Sequence, residues 1–140
     1  MKDCRKYLLR ALISSINGLS TGLIVYSKVP RGDSNNVVQF PYMYITEITD
    51  SENGPKNEFH YEYSVTIEIV YAGLNDRTTI WDMADKVKGI INNNVPFLLG
   101  GGFEIMQATI GTTNEREDLL GSTDVDVMSI NINFLIEDNN

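Results

Sequence analysis

The sequence predicts an α+β fold, a mainly antiparallel sheet with two helices packed on one face. Three observations predict it. One long segment alternates apolar and polar residues with period two, two separate segments carry apolar residues at helical spacing, and the strand segments cluster instead of alternating with helices. The predicted order is α-β-β-β-α-β-β. Because the strands cluster and the helices do not strictly alternate with them, the expected architecture is an α+β sandwich.

The first helix spans about Cys4 to Asn17, with Asp3 as its cap. Leu8, Leu9, Leu12, Ile13 and Ile16 form a wide apolar stripe, and Gly18 stands where a left-handed cap belongs. A short strand follows at Leu23–Tyr26. Pro30–Asn36 is dense in turn formers and reads as an exposed loop. It contains Arg31-Gly32-Asp33, which spells an adhesion tripeptide, but so short a match arises often by chance and the segment reads as a tight turn. The next strand covers Tyr42–Thr49, with Pro41 at its entry. Asp50–Asn57 reads as a hairpin loop.

Phe59–Tyr71 gives the strongest strand signal. Tyr61, Tyr63, Val65, Ile67, Ile69 and Tyr71 share one face, opposite His60, Glu62, Ser64, Thr66 and Glu68. One face is therefore buried and the other meets water or a partner. The second helix runs from about Thr79 to Asn92 on a stripe of Ile80, Met83, Ala84, Val87, Ile90 and Ile91. Trp81 lies beside that stripe, either at the core rim or as an interface anchor. Two strands close the chain, near Phe103–Thr112 and Asp126–Ile136. In the last, Met128, Ile130, Ile132, Phe134 and Ile136 share a face. Between these strands, Gly111–Thr123 reads as a polar loop carrying Glu115, Arg116, Glu117 and Asp118.

The 140 residues suit one domain, taken as residues 1–140, that buries roughly two-thirds of its unfolded surface. A single cysteine permits no intrachain disulfide and fits a reducing compartment. No apolar run is long enough to span a membrane, and the segment around Tyr7–Ile16 lacks the pattern of a signal peptide. The formal net charge is −8, and the eleven basic residues are scattered. Tight nucleic-acid binding needs clustered Lys and Arg, so the composition argues against it. The interleaved tyrosines, Tyr42, Tyr44, Tyr61, Tyr63 and Tyr71, lack the cationic groove that base stacking requires.

No catalytic, cofactor or metal site is expected. One histidine, His60, and one cysteine, Cys4, supply neither a nucleophile–base pair nor a zinc ligand set. Asp124 and Asp126 lack the remaining ligands of a calcium loop. Gly100-Gly101-Gly102 lacks the following helix and the Lys of a phosphate cradle, and reads as a turn.

The opening helix carries Lys6-Tyr-Leu-Leu-Arg-Ala-Leu-Ile-Ser-Ser-Ile16, followed by Val25-Tyr26-Ser27-Lys28-Val29-Pro30 and by Phe40-Pro41-Tyr42-Met43-Tyr44-Ile45-Thr46-Glu47. In these motifs the chain resembles the tail-terminator (tail-completion, neck ring) family of tailed bacteriophages, the last of them matching the start of the family's second strand. The element order agrees along nearly the whole chain, which departs from the family in its low basic content and in Gly100–Gly102. The resemblance implies a non-enzymatic virion protein, made in the bacterial host cytoplasm, that forms a homo-oligomeric ring. A hexamer is expected, with a dodecamer the alternative. Such a ring caps the tail tube, joins it to head-proximal connector proteins and lets DNA pass at genome ejection.

On this reading Trp81, Arg31, Asp33, Glu115, Arg116, Glu117 and Asp118 are candidate interface residues. Glu62 and Glu68, with Glu115, Glu117 and Asp118, are candidates for an acidic channel wall, because acids repel phosphate. The rival reading is a small α+β ligand-binding module.

Overall fold

The computed structural model describes residues 4–18, 23–28, 30, 40–50, 60–73, 77–93, 95, 98–120 and 123–139. Two helices, α1 (Arg5–Gly18) and α2 (Thr78–Asn93), join six strands: β1 (Ile24–Tyr26), β2 (Tyr42–Asp50), β3 (His60–Tyr71), β4 (Leu98–Gly100), β5 (Phe103–Leu120) and β6 (Thr123–Asp138). The sheet runs β1-β2-β3-β6-β5-β4. Only the β1–β2 pair is parallel. The predicted class therefore holds, with one additional strand.

Apolar periodicity explains the layers. Leu8, Leu12 and Ile16 recur every four residues in α1 and are fully buried. In α2 the buried set is Ile80, Ala84, Val87, Ile90 and Ile91. Both stripes cover one sheet face, on which alternate residues of β3 and β6 meet: Val65 pairs with Ile132 and Ile67 with Ile130. The expected grouping of Tyr61, Val65, Ile67, Ile69, Ile130, Ile132 and Phe134 with Leu12, Val87 and Ile91 is present as one cluster. Each fully buried Ile or Leu contributes about 1.5–3 kcal/mol.

The tyrosines divide between faces. Tyr61, Tyr63 and Tyr71 point into the helix-covered core, whereas Tyr42 packs with Val70, Val125 and Val127 in a second, smaller cluster. Tyr26, Phe40 and Tyr44 flank that cluster. Phe40 stacks on Tyr42 at 5.5 Å, and Tyr26 meets Tyr42 edge-on at 6.0 Å.

Two sequence expectations need correction. Gly111–Thr123 is not a loop. β5 continues to Leu120, and residues 113–120 pair in register with β6, Glu117 opposite Asp126 and Leu120 opposite Thr123. Two bulges, between Ile105 and Gln107 and between Ile110 and Thr113, shift the alternation and hide it from a period-two reading. Exposure of every residue from Asn114 to Leu120 removes the remaining apolar signal. The second correction is β4, a three-residue strand joined to β5 through the glycines. Gly100, Gly101 and Gly102 have φ of 96°, 63° and 85°, so this triplet forms a tight left-handed turn that L side chains resist. Asp3 and the Asp50–Asn57 loop beyond Asp50 lie outside the described residues.

Candidate functional site: a braced hairpin arm

The β5–β6 hairpin runs past the end of its neighbouring strand β3. β3 ends with Tyr71 opposite Asp126, and the hairpin continues past it through three further pairs, Asp118–Val125, Leu119–Asp124 and Leu120–Thr123. A two-stranded ribbon is marginal in water, and side-chain braces secure this one at its root, where β6 still pairs with β3.

The braces come from consecutive residues. Strand alternation sends Glu115 and Glu117 to the helix side and Arg116 to the open side. Trp81 Nε1 donates to Glu115 Oε2 at 2.9 Å, and Arg77 Nη2 lies 3.9 Å from Glu117 Oε1. The start of α2 thus supports one side of the arm. The Arg77–Glu117 pair is largely exposed and adds little.

On the open side, Glu68 gathers four strands. Arg116 on β5 donates through Nη1 to Oε1 at 3.1 Å and through Nη2 to Oε2 at 3.3 Å. Ser129 Oγ on β6 donates to Oε1 at 3.1 Å, and Tyr44 Oη on β2 donates to Oε2. Each carboxylate oxygen therefore accepts two hydrogen bonds. Glu68 is 9 % exposed, the one buried charged side chain among the described residues. Forked, charge-assisted geometry of this kind is among the stronger polar contacts available.

The titration behaviour follows from the same contacts. Burial by itself lifts the Glu68 pKa, but the hydrogen bonds from Arg116 and Tyr44, the Arg116 charge and the Ser129 hydroxyl outweigh it and hold the carboxyl below its ordinary value. Tyr44 is raised by burial and by donating to Glu68. Arg116 is raised, chiefly by its hydrogen bonds to Glu68. A carboxylate held ionised by four donors is a weak proton acceptor. What the cluster supplies is registration of strands.

Four predicted residues are thus brought together in two pairs, Trp81 with Glu115 and Arg116 with Glu68. Trp81 stays 45 % exposed. Asp118 is exposed and accepts the Leu119 amide at 2.8 Å. Glu62 is exposed on the open face, beside a groove of about 310 Å³ shared with Gln107, Thr109, Asn133 and Leu135. Arg31 and Asp33 lie outside the described residues. Sequence reasoning missed the arm and the Tyr44–Glu68–Ser129 link. The signal available for the link was a polar residue at matching alternation on each strand.

Among the described residues, no group of three or more His, Cys, Asp or Glu converges as a metal site, and no helix is long and apolar enough to cross a membrane.

No family model matches the chain, and no curated protein matches it in sequence. Solved structures do share the fold. A chain from the virion of a native gene transfer agent (GTA) particle superposes with a TM-score of 0.76 at 13% identity, covering 98% of this chain and 99% of that one. A second solved chain, without a descriptive name, gives 0.51 at 13% identity, over 93% and 92% of the two chains. At such identity the likeness establishes the fold.

Proposed function

We propose that this protein is a non-enzymatic structural subunit of a phage-type virion, forming a homo-oligomeric ring in the neck or tail. The ring caps the tail tube and joins it to head-proximal connector proteins, and DNA passes through its channel. The observation that carries this reading is the full-length likeness to a chain of a gene transfer agent virion. The sequence resemblance to tail-terminator proteins points the same way independently. A hexamer is the expected ring, with a dodecamer the alternative.

The surface suits assembly. Among the described residues, β5 pairs on its outer side only through Phe103 and Glu104, to β4. Among the described residues, Ile24, Trp81, Leu98, Met106, Leu119 and Leu120 are exposed apolar side chains, and Leu119 and Leu120 stand together at the hairpin tip. The compensated charge of Glu68 leaves Glu62 as the open-face candidate for an acidic channel wall.

Purified particles test the proposal. Mass spectrometry should find the chain in stoichiometric, multiple copies, and loss of its gene should leave heads and tails unjoined. Joined, infectious particles lacking the chain would refute it.

A further inference from the structure

We infer that the hairpin arm of one copy docks against the basic outer face of α1 on the next copy, making the contact between subunits head-to-tail. This deepens the ring reading and rests on it.

The arm offers a distinct chemistry. Between Glu115 and Asp126 it carries Glu115, Glu117, Asp118, Asp124 and Asp126 against one cation, Arg116. Arg116 is committed inward to Glu68. At the tip, Leu119 and Leu120 are 62 % and 42 % exposed. An acidic prong with an apolar end is a shape for insertion, and it calls for a cationic seat.

The chain itself carries such a seat. α1 reads Arg-Lys-Tyr-Leu-Leu-Arg-Ala-Leu-Ile-Ser-Ser-Ile-Asn-Gly and contains no acidic residue. Lys6 and Arg10 are exposed on its outer side, opposite the buried stripe of Leu8, Leu12 and Ile16. Lys6 and Arg10 are four residues apart and share a face. The Lys6 ammonium sits 5.1 Å from the centroid of the Tyr7 ring, a cation–π contact on the same helix.

Within one copy the two surfaces lie at opposite ends of β5. Tyr7 packs 5.7 Å from Phe103, at the base of the hairpin. From Phe103 to the tip at Leu120 is roughly 50 Å along the strand at 3.3 Å per residue. Acidic tip and basic helix therefore meet between copies, not within one. Different surfaces on the two partners make a heterologous contact, which closes into a ring when the rotation permits. Copies with a formal charge of −8 repel one another overall, so local complementarity selects which faces approach.

Sedimentation velocity of the full chain, across protein and salt concentration, tests this. Self-association should weaken steeply as salt rises. Asp118→Lys with Asp124→Lys, and separately Lys6→Glu with Arg10→Glu, should each weaken it by about tenfold or more. All four changes together should restore it. Circular dichroism confirms that the variants fold, and Leu119→Ser with Leu120→Ser provides an uncharged second probe of the tip. A wild-type monomer at every concentration and salt overturns the inference, as does association indifferent to both charge reversals. So does a result in which arm variants self-associate normally but fail to join particles, since the arm then docks on a different protein. Any of these leaves the virion role itself standing, because that role is read from particle composition.

Discussion

Arg116 grips Glu68 across 48 positions of sequence, one guanidinium nitrogen on each carboxylate oxygen, at 3.1 and 3.3 Å. The pair spans β6, which supplies Ser129 between them. It fixes the lateral position of β5 just beyond the second of its two bulges, where the backbone ladder alone would tolerate slippage.

Glu68→Gln removes the charge and leaves Arg116 without its counter-ion. The expected cost is about 1–3 kcal/mol of unfolding free energy, measured by denaturant titration at neutral pH. An unchanged midpoint would show that the network contributes no stability.

The same residue sets a pH dependence. Its folded pKa is lowered, so the ionised form binds the fold more tightly than the protonated form. That stability is complete above the ordinary carboxylate range and is lost as pH falls through the lowered folded value. Melting curves should therefore show the gap between wild type and Glu68→Gln narrowing on acidification. A gap that widens would reverse the assigned sign.

Gly101 has φ 63°, and a Cβ placed there would lie 2.7 Å from Tyr7 Cζ. Gly101→Ala combines a disfavoured conformation with a steric conflict, and should cost roughly 1–3 kcal/mol. Thermal unfolding checks it, and Tyr7→Ala in the same chain should relieve part of the loss.

Ile67 is fully buried at the centre of the core, so Ile67→Ala should cost about 2–5 kcal/mol. Full retention of thermal stability would contradict the packing described.

Much of this architecture was legible because burial leaves periodic traces. Phe59–Tyr71 announced β3 through six alternating apolar positions, and α2 through its stripe from Ile80 to Ile91. Leu119 and Asp118 left no such trace. The arm is solvated along its outer strand, its alternation is shifted twice by bulges, and Glu115-Arg116-Glu117-Asp118 has the composition of a loop. Its strand character comes from hairpin pairing with Thr123–Asp126 and not from an apolar alternation of its own. Trp81 stands out in the sequence by its place beside the stripe, but its partner Glu115 is 34 residues away. The chain gives no local sign of that contact.

Trp81 is the chain's one tryptophan, so its fluorescence reports on the arm. If this face is buried on assembly, emission should shift to the blue as subunits associate. Emission that stays constant through association would place Trp81 outside the contact.

The central claim is that copies of this chain form a ring in a virion neck or tail. Electron cryomicroscopy of intact particles tests it most directly. The account predicts a closed ring of this fold between tail tube and head-proximal connector, with its lumen lined by carboxylates including Glu62. Density for this fold elsewhere in the particle, or none in complete particles, would contradict it.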